Sequence, residues 1–194
     1  MKKEKLESIL NAMLSTGGDF AEIFVEETKT KTYNFVNQIL DGYHIDFSNG
    51  LGLRLANNTN VYYAATNKFD KKNIFDIINL LNKNIKDKVK FSDIKLKRLQ
   101  KYKKNNETHY SDQGLKILFK KLDDYIRNYD SRVNQVNIRL LNVIQKVTIA
   151  RENGLYKSED RIRSRIYITI GLKDQDKSCS ITYSHGKTSS LDFL

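Results

Sequence analysis

The stretch Gly17–Asn67, which reads GGDFAEIFVEETKTKTYNFVNQILDGYHIDFSNGLGLRLANNTNVYYAATN, decides the fold of this chain. Apolar and polar residues alternate along it, as they do in strands that have one buried face. Asn, Asp and Gly residues interrupt the alternation and favour tight turns, so we expect hairpin turns at Asp41-Gly42 and Asn49-Gly50. The predicted strands are 21–27, 28–39, 43–47, 51–55 and 61–65.

Three amphipathic helices are predicted around the strands. The first, Lys2–Ser15, repeats apolar residues every three or four positions and ends at Thr16-Gly17-Gly18, because glycine tolerates the left-handed C-cap conformation. Asp70 is the expected N-cap of a second helix, and Ser111 that of a third helix over 112–129. The predicted buried faces are Ile74, Ile77, Ile78, Leu81 and Ile85 in the second helix, and Leu115, Leu118, Phe119, Leu122, Tyr125, Ile126 and Tyr129 in the third.

The fold class that these patterns predict is α+β, with antiparallel or mixed sheet meanders. Four more strands are expected at 133–141, 143–152, 163–173 and 177–184, with turns at Asn153-Gly154 and 174–176. Each half of the chain has a helix followed by strands and an Asn-Gly-Leu turn, which indicates an internal duplication of subregions 1–85 and 111–194. The basic segment 86–110 joins these subregions, and we expect it to be an exposed excursion.

Charge and composition narrow the classes of protein to be considered. The 194 residues suit one domain or a compact pair of subdomains, and the net charge is +11. One cysteine, Cys179, excludes an internal disulfide, and a buried or half-buried thiol is expected on this predicted strand because no His or Cys partner lies close in sequence. No signal peptide or membrane-spanning run is recognisable, so we expect a soluble cytoplasmic protein without membrane contact.

The basic excess is concentrated in Lys83–Lys104, which holds ten Lys or Arg and two Asp. Phe91 and Tyr102 stand among these lysines, an arrangement that suits single-stranded nucleic acid, whose bases stack on aromatic rings. Lysine outnumbers arginine 25 to 9 in the chain, however, and a solvated basic face explains that preference better than bidentate phosphate recognition. Both interpretations stay open, and nucleic acid is the less favoured partner.

No constellation of residues in the sequence forms a catalytic, cofactor-binding or metal site. His44, His109 and His185 lie far apart, and the zinc motif HExxH does not occur. Gly186-Lys187-Thr188 lacks the preceding glycine of a phosphate-binding loop. Neighbouring carboxylates point apart in strands and helices, so the pairs are expected to be solvated; these pairs are Glu26-Glu27, Asp123-Asp124 and Glu159-Asp160.

Several blocks of residues follow one another in a specific order. In the first half they are Asp19–Glu26 (DFAEIFVE), Asp41-Gly42, Gly50–Arg54 (GLGLR) and Tyr62–Asn67 (YYAATN). In the second half they are Ser111–Arg127, Val133–Val136 (VNQV), Glu152–Leu155 (ENGL), Asp160–Arg165 (DRIRSR) and Tyr183–Leu194. In this order the blocks resemble the N-terminal part of the TldD/PmbA family over essentially the whole chain. Asp160–Arg165 and the DFL ending favour the metal-bearing TldD branch.

The resemblance implies a role in a zinc metallopeptidase, a hydrolase that trims unfolded peptides and processes precursor peptides. In that family an HExxxH helix and a further distal ligand lie in a C-terminal domain, and the motif glutamate acts as a general base. No such motif occurs in this chain, so no catalytic or metal residue is transferred to any position here. Zinc is expected in the absent C-terminal domain, and whether this chain is itself an enzyme stays open.

Two functions of different classes therefore remain. The first is the N-terminal domain of a TldD-like metallopeptidase, which would enclose the substrate and form the interface with a TldE/PmbA-like or identical subunit. The second is a non-enzymatic nucleic-acid-binding or regulatory module that uses Lys83–Lys104. The order of the blocks favours the first.

Overall fold

The computed structural model of the chain describes residues 1–83, 85, 93–101, 110–189 and 191. Over these residues it has three helices and seven strands, which confirms the α+β fold class. The elements are α1 (Lys3–Met13), β1 (Phe20–Val36), β2 (Ile39–Asn57), β3 (Asn60–Thr66), α2 (Lys71–Asn82), β4 (Gln100–Lys101), α3 (Asp112–Tyr129), β5 (Val133–Arg151), β6 (Tyr156–Asp174) and β7 (Lys177–Lys187). The strands form one sheet in the order β3-β2-β1-β5-β6-β4, and β7 also pairs with β6.

The strands of the opening stretch are longer and fewer than predicted. The hairpin turns expected at Asp41-Gly42 and Asn49-Gly50 are wrong, because both dipeptides lie inside the 19-residue strand β2. The chain turns at Asn37 and Gln38, whose φ angles are 46° and 69°. Asn-Gly and Asp-Gly permit a turn but do not impose one, and β2 gains more by pairing along its length than by turning.

Strand merging also occurs in the second half of the chain. The separate strands expected at 133–141 and 143–152 are one strand, β5, and β6 begins at Tyr156 and not at residue 163. The turns were predicted correctly: Gly154 has a φ of 84°, and Gln175 has a φ of 51° between β6 and β7. Residues from Ser164 to Asp174 of β6 then pair in antiparallel register with β7.

The helices follow the sequence prediction closely. The Asp70 carboxylate accepts a hydrogen bond from the Asn73 amide (2.8 Å) and caps α2. The Ser111 hydroxyl accepts one from the Gly114 amide (3.0 Å) and caps α3. One part of the prediction is wrong: Tyr125 and Tyr129, assigned to the buried stripe of α3, are 69% and 85% exposed. Across the described part of the chain no helix combines the length and apolarity that a membrane crossing requires.

The chain forms two compact units that interleave along the sequence. Unit 1 comprises Met1–Glu27, Ser48–Lys104 and Gln145–Asp160. Unit 2 comprises Thr28–Phe47, Asn105–Ile144 and Arg161–Leu194. Strands β1, β2, β5 and β6 each contribute residues to both units. The subdivision into 1–85 and 111–194 and the internal duplication stay predictions.

Unit 1 has a core in which α1 and α2 pack on the sheet. Its fully buried side chains include Leu6, Leu10, Ile23, Leu53 and Ile78. The segment Asp93–Lys101 belongs to this core, since Ile94 and Leu96 are buried in it. The exposed excursion predicted for 86–110 is therefore wrong at Ile94 and Leu96, whereas six of the nine residues 93–101 are exposed. Residues 86–92 and 102–109 lie outside the described part.

Two side chains of α1 hold the Asp93–Lys101 segment in place. The Asn11 side-chain oxygen accepts a hydrogen bond from the Ile94 amide (3.0 Å). The Glu7 carboxylate accepts one from the Leu96 amide (2.8 Å). Each bond satisfies a backbone N–H beside a buried side chain, where a missing partner would be costly.

Unit 2 has its own core between α3 and the sheet. Phe35 and Phe119 are fully buried, and their ring centroids lie 5.9 Å apart. The core also contains a charge: Asp123 is completely buried and accepts a hydrogen bond from the Arg127 Nε atom at 2.5 Å. The prediction that Asp123 is solvated is wrong, because its position on α3 faces the sheet.

Candidate functional site

The histidines named by the sequence analysis do not converge. His44 is exposed and contacts the Asp46 carboxylate at 2.8 Å. His185 lies on β7 and is also exposed, while His109 lies outside the described residues. Within the described ranges, no group of three or more His, Cys, Asp or Glu side chains has a geometry that could hold a metal ion.

Cys179 is exposed, so the prediction of a buried or half-buried thiol is wrong. Its strand, β7, has ten exposed residues out of eleven. Alternation in a strand indicates one buried face only if another layer covers that face. Ile181 and Tyr183 stand on β7 two and four residues after Cys179, and both are more than half exposed.

An apolar depression, the α3–β7 groove, lies in unit 2 between α3 and the strands β6 and β7. One part has a volume of about 420 Å³, and the next part along α3 has a volume of about 380 Å³. The first part is lined by residues that include Leu118, Leu122, Ile166, Tyr183 and His185. The second part is lined by residues that include Tyr125, Ile126, Tyr129, Ile170 and Ile181.

Exposed aromatic side chains border the α3–β7 groove. Tyr125 and Tyr129 project from the last two turns of α3, and Tyr183 stands across from the helix on β7. A contiguous exposed apolar surface bordered by tyrosines is typical of a protein–protein contact, since tyrosine buries a large ring and keeps a hydroxyl for hydrogen bonding. The groove is therefore the surface of unit 2 best suited to contact another polypeptide.

A second depression in unit 2, the Arg165 cleft, is basic. It has a volume of about 420 Å³ and is lined by residues that include Arg163, Arg165, Lys187, Leu141 and Tyr167. Among the residues that the structure describes, no carboxylate lines it. Arg165 is held in place, because its Nη2 atom donates to the Ser184 hydroxyl (3.1 Å) and its guanidinium lies 5.2 Å from the centre of the Tyr167 ring.

A smaller basic cleft belongs to unit 1. It has a volume of about 250 Å³ and is lined by Lys97, Arg98, Gln100 and the turn Asn153–Tyr156. The Lys97 amide donates to the Gly154 carbonyl oxygen (2.8 Å), which fixes the backbone on both sides of the cleft. Lys95 pairs with the Asp93 carboxylate at 2.9 Å, and that pairing raises the pKa of Lys95.

Three groups of unit 2, Tyr33, Asp130 and Arg132, have shifted pKa values. Burial raises the pKa of Tyr33, and a hydrogen bond with Tyr43 adds to the shift. The Arg132 side chain and amide both donate to the Asp130 carboxylate, and these bonds lower the pKa of Asp130 to about 2. Among the described residues, none of these groups belongs to a cluster of side chains that could hold a metal ion.

Comparison with family models identifies the group of proteins to which this fold belongs. Residues 21–86 match the model described as PmbA/TldA metallopeptidase domain 1. Residues 80–193 match the model of the PmbA/TldA metallopeptidase central domain. The chain belongs to the PmbA/TldD family. The family resemblance inferred from the ordered blocks is thereby confirmed.

Solved structures of PmbA/TldD proteins share the fold. A candidate modulator of DNA gyrase from Thermotoga maritima superposes with a TM-score of 0.68 at 15% identity, over 98% of this chain and 44% of that one. A candidate gyrase modulator from Bacteroides thetaiotaomicron gives 0.64 at 14% identity, over 97% and 46%. TldE from Thermococcus kodakarensis gives 0.61 at 14% identity, over 96% and 43%.

The chain thus spans less than half the length of the PmbA/TldD structures it matches. No curated protein sequence matches it significantly. No site residue was expected from the sequence, in which Arg163 and Arg165 belong to the family block Asp160–Arg165. Their two-residue spacing on a strand places them on one face, so the basic cleft was detectable from the sequence. The open side of the α3–β7 groove could not be predicted from the sequence, because the apolar periodicity of α3 does not show how much of the sheet the helix covers.

Proposed function

We propose that this chain is the non-catalytic N-terminal part of a TldD-like zinc metallopeptidase in the cytoplasm. Its work in proteolysis is structural: it helps to enclose a peptide substrate and contacts a second subunit, either identical or TldE/PmbA-like. The zinc and the general base belong to a separate C-terminal domain. The observation that carries the proposal is the match of both N-terminal family domains over residues 21–193.

The surface of unit 2 supports the interface part of the proposal. The α3–β7 groove exposes Tyr125, Tyr129 and Tyr183 together on an apolar background. Burying such rings is a main source of affinity at protein interfaces, where tyrosine is enriched among the residues that dominate binding. TldE from Thermococcus kodakarensis shares the fold, so a subunit of that type is a physically reasonable partner.

Metal content and cleavage by the purified chain test the catalytic part of the proposal. We expect substoichiometric zinc by plasma mass spectrometry after incubation with zinc and dialysis. We also expect no hydrolysis of a quenched fluorescent unstructured peptide. One bound zinc per chain together with peptide cleavage would overturn the proposal.

Substitution of the two exposed tyrosines of α3 tests the interface. We expect the chain either to self-associate in sedimentation velocity or to form a complex when co-expressed with a TldE-type subunit, and we expect Tyr125→Ser with Tyr129→Ser to weaken that association. The matched control is Tyr63→Ser, an exposed tyrosine of unit 1. Absence of both associations, or equal effects of the two sets of substitutions, would contradict the assignment.

The basic cleft of unit 1 supports a second candidate function, nucleic-acid binding. Lys97, Arg98 and Tyr156 line it, so cations and an aromatic ring stand together. Phosphate contacts would make the affinity fall steeply with salt. Absence of DNA and RNA binding at low salt, or binding that survives neutralisation of Lys95, Lys97 and Lys101, would exclude this function.

A further inference from the structure

The Arg165 cleft is built by three neighbouring strands. Its lining includes Leu141 and Val143 of β5, Arg163 and Arg165 of β6, and residues 186–188 at the end of β7. The Asn142 side-chain amide donates to the buried Ser164 hydroxyl (2.8 Å), which fixes β5 against β6 at this point. Side chains alternate along a strand, so the residues on either side of these two point to the opposite face of the sheet, from which they line the cleft.

Two guanidinium groups stand together in the cleft without an acidic partner. Arg163 and Arg165 are both exposed and lie two residues apart on β6, which is about 7 Å along a strand. Within the described ranges no carboxylate lines the cleft, and the Arg163 side chain forms no hydrogen bond or ion pair. The nearest acidic residue on the same face of β6 is Glu159, about 13 Å along the strand from Arg163. The positive charge of Arg163 is therefore open to an anion.

Arg165 already has the fixed position that a binding residue needs. Its Nη2 atom donates to the Ser184 hydroxyl (3.1 Å), and its guanidinium lies 5.2 Å from the centre of the Tyr167 ring. Gly186 pairs with Arg165 across the two strands. A Cβ atom at Gly186 would lie 3.2 Å from Arg165 Cγ, so the glycine leaves the space that the arginine side chain occupies. Fixing a side chain in advance reduces the entropy that is lost on binding.

The cleft also has an apolar part. Leu141, Val143 and Tyr167 are half-buried and line it beside the guanidinium groups. Its volume of about 420 Å³ falls within the range of about 300–1,000 Å³ that is usual for small-molecule sites. A compact ligand with an anionic group and a carbon body matches both parts of the lining.

The charge of the cleft favours a dianion. The arginine fork matches the oxygen atoms of phosphate or carboxylate in a bidentate way. A phosphate monoester carries about 1.5 to 2 negative charges at pH 7, whereas a carboxylate carries one. Nucleic acid suits the cleft less well, because each phosphodiester carries about one charge and the Tyr167 ring is already in contact with Arg165.

We propose that the Arg165 cleft binds a small phosphate monoester, with its phosphate on Arg163 and Arg165 and its carbon body against Leu141 and Val143. The site lies entirely within unit 2. The inference goes beyond the proposed function and does not depend on it, because the ligand is a small molecule and needs neither zinc nor a second subunit. A ligand that binds only the folded chain stabilises it by mass action.

Phenyl phosphate is the probe for this site. It is titrated into the intact chain without zinc at low salt, and calorimetry measures its affinity. Methyl phenyl phosphate has the same ring and one negative charge less. We expect the diester to bind at least about fivefold more weakly, and we expect salt to weaken the binding of phenyl phosphate. Equal affinities of the two compounds, or no binding of phenyl phosphate, would overturn the proposal.

Inorganic phosphate tests the contribution of the carbon body. We expect phenyl phosphate to bind at least about threefold more tightly, because its ring buries apolar surface on Leu141 and Val143. Equal affinities would overturn the part of the proposal that assigns the body to these residues. A ten-residue peptide with one phosphoserine represents the other source of a phosphate monoester, a phosphorylated protein. We expect it to bind no more tightly than phenyl phosphate, and a clearly tighter peptide would overturn the assignment to a small molecule.

Neutralisation of the two arginines supplies the protein side of the test. Arg163→Gln and Arg165→Gln are each expected to weaken phenyl phosphate at least about tenfold, because each removes a charge-assisted pair of hydrogen bonds. Arg54→Gln is the matched control, since Arg54 is an exposed arginine of unit 1 that does not line the cleft. Circular dichroism checks that all three variants fold. Unchanged affinity in Arg163→Gln, or an equal loss in Arg54→Gln, would overturn the assignment.

Amide chemical shifts locate the bound compound. We expect saturable changes at Ser164, Arg165 and Gly186. Changes at Lys97 and Arg98 instead would place the compound in the basic cleft of unit 1 and overturn the proposal. None of these measurements involves zinc or peptide cleavage, so their failure would remove this site and leave the proposed function unchanged.

Discussion

At the scale of single residues, the burial of a charged side chain is the feature that is hardest to predict from the sequence. Asp123 and Asp124 are identical neighbours in the sequence, yet Asp123 is completely buried and Asp124 binds Gln38 at the exposed surface. Arg127 follows Asp123 by four residues, a spacing that brings the two side chains together on a helix. The spacing permits this ion pair, but it does not show which side of the helix faces the sheet.

Breaking the ion pair between Asp123 and Arg127 should destabilise the chain. We expect Arg127→Leu to cost about 3 kcal/mol, because it leaves a buried carboxylate without its cation. Asp123→Asn should cost less, about 1 kcal/mol, because the amide keeps the shape and can still form hydrogen bonds. Urea unfolding measures both.

The ion pair between Lys3 and Glu7 of α1 supplies the control for this experiment, because the Lys3 side chain is 42% exposed, although that of Glu7 is 15% exposed. Their charged atoms lie 3.7 Å apart. Lys3→Met should change the free energy of unfolding by less than about 0.5 kcal/mol. If Arg127→Leu costs no more than Lys3→Met, the buried pair does not stabilise the fold.

Asp130 provides a prediction for pH. Its pKa is about 2 in the folded chain because Arg132 donates to it, whereas an unfolded Asp titrates near about 3.9. A folded pKa below the unfolded value stabilises the fold above about pH 4, and the contribution is lost as the pH falls towards about 2. A carbon-13 NMR titration of the Asp130 carboxyl group should give the low midpoint.

Removal of the Arg132 side chain should raise the pKa of Asp130 part of the way towards its ordinary value. In Arg132→Gln the backbone amide of residue 132 remains able to donate, so we expect the midpoint to rise without reaching the unfolded value. Arg163→Gln, at an exposed arginine elsewhere in unit 2, should leave the Asp130 midpoint unchanged. An unchanged midpoint in Arg132→Gln would show that the side chain does not set the pKa.

At the scale of elements, the sequence predicted helices and strand positions well and strand continuity poorly. The caps Asp70 and Ser111 are local signals, and both were right, because each side chain bonds an amide three residues away. Asp41-Gly42 and Asn49-Gly50 are equally local signals, but the long β2 strand overrides them. The deciding interactions are pairings with residues remote in sequence, which a window of ten residues cannot show.

The Asp93–Lys101 segment was predicted to be exposed because of its charge, but its apolar residues are a better indication of how it packs. Ile94 and Leu96 alternate with lysines, and both are buried in the core of unit 1. We expect Leu96→Ala to cost about 2–5 kcal/mol, because it removes a buried side chain and leaves a cavity. Urea unfolding with circular dichroism is the measurement.

Lys95 is the matched control, since it lies between the two buried residues and its side chain is 70% exposed. Lys95→Ala should change the free energy of unfolding by no more than about 0.5 kcal/mol. Similar costs for Leu96→Ala and Lys95→Ala would contradict the packing of this segment against α1.

At the scale of the whole molecule, the order of local blocks was a stronger signal than composition. The net charge of +11 drew attention to nucleic acid, whereas the blocks from Asp19 to Arg165 placed the chain in its family. Charge is a property of the surface and constrains the fold weakly. The interleaving of units 1 and 2 had no sequence signature, because each unit is assembled from three separate stretches.

Interleaving should make unfolding cooperative across the molecule. Strands β1, β2, β5 and β6 each contain residues of both units. If one unit unfolds, part of each of these strands loses its paired neighbours, and the rest of the same strand belongs to the other unit. We expect Leu53→Ala in unit 1 and Phe119→Ala in unit 2 to lower the midpoint of one shared thermal transition. Calorimetry and near-ultraviolet circular dichroism measure it.

The exposed Tyr63→Ser variant serves as the control and should leave the midpoint of that transition nearly unchanged. Two resolved transitions, each moved by only one of the two core substitutions, would show that the units unfold separately.

The same interleaving delays the folding of unit 1 during synthesis on the ribosome. Unit 1 includes Gln145–Asp160, so its sheet cannot be completed when Lys104 leaves the exit tunnel. At a synthesis rate of about 5–20 residues per second, the nascent chain waits several seconds for those residues. During that interval Leu6, Ile23 and Leu53 lack their final neighbours, and the nascent chain is then a natural client for a ribosome-associated chaperone.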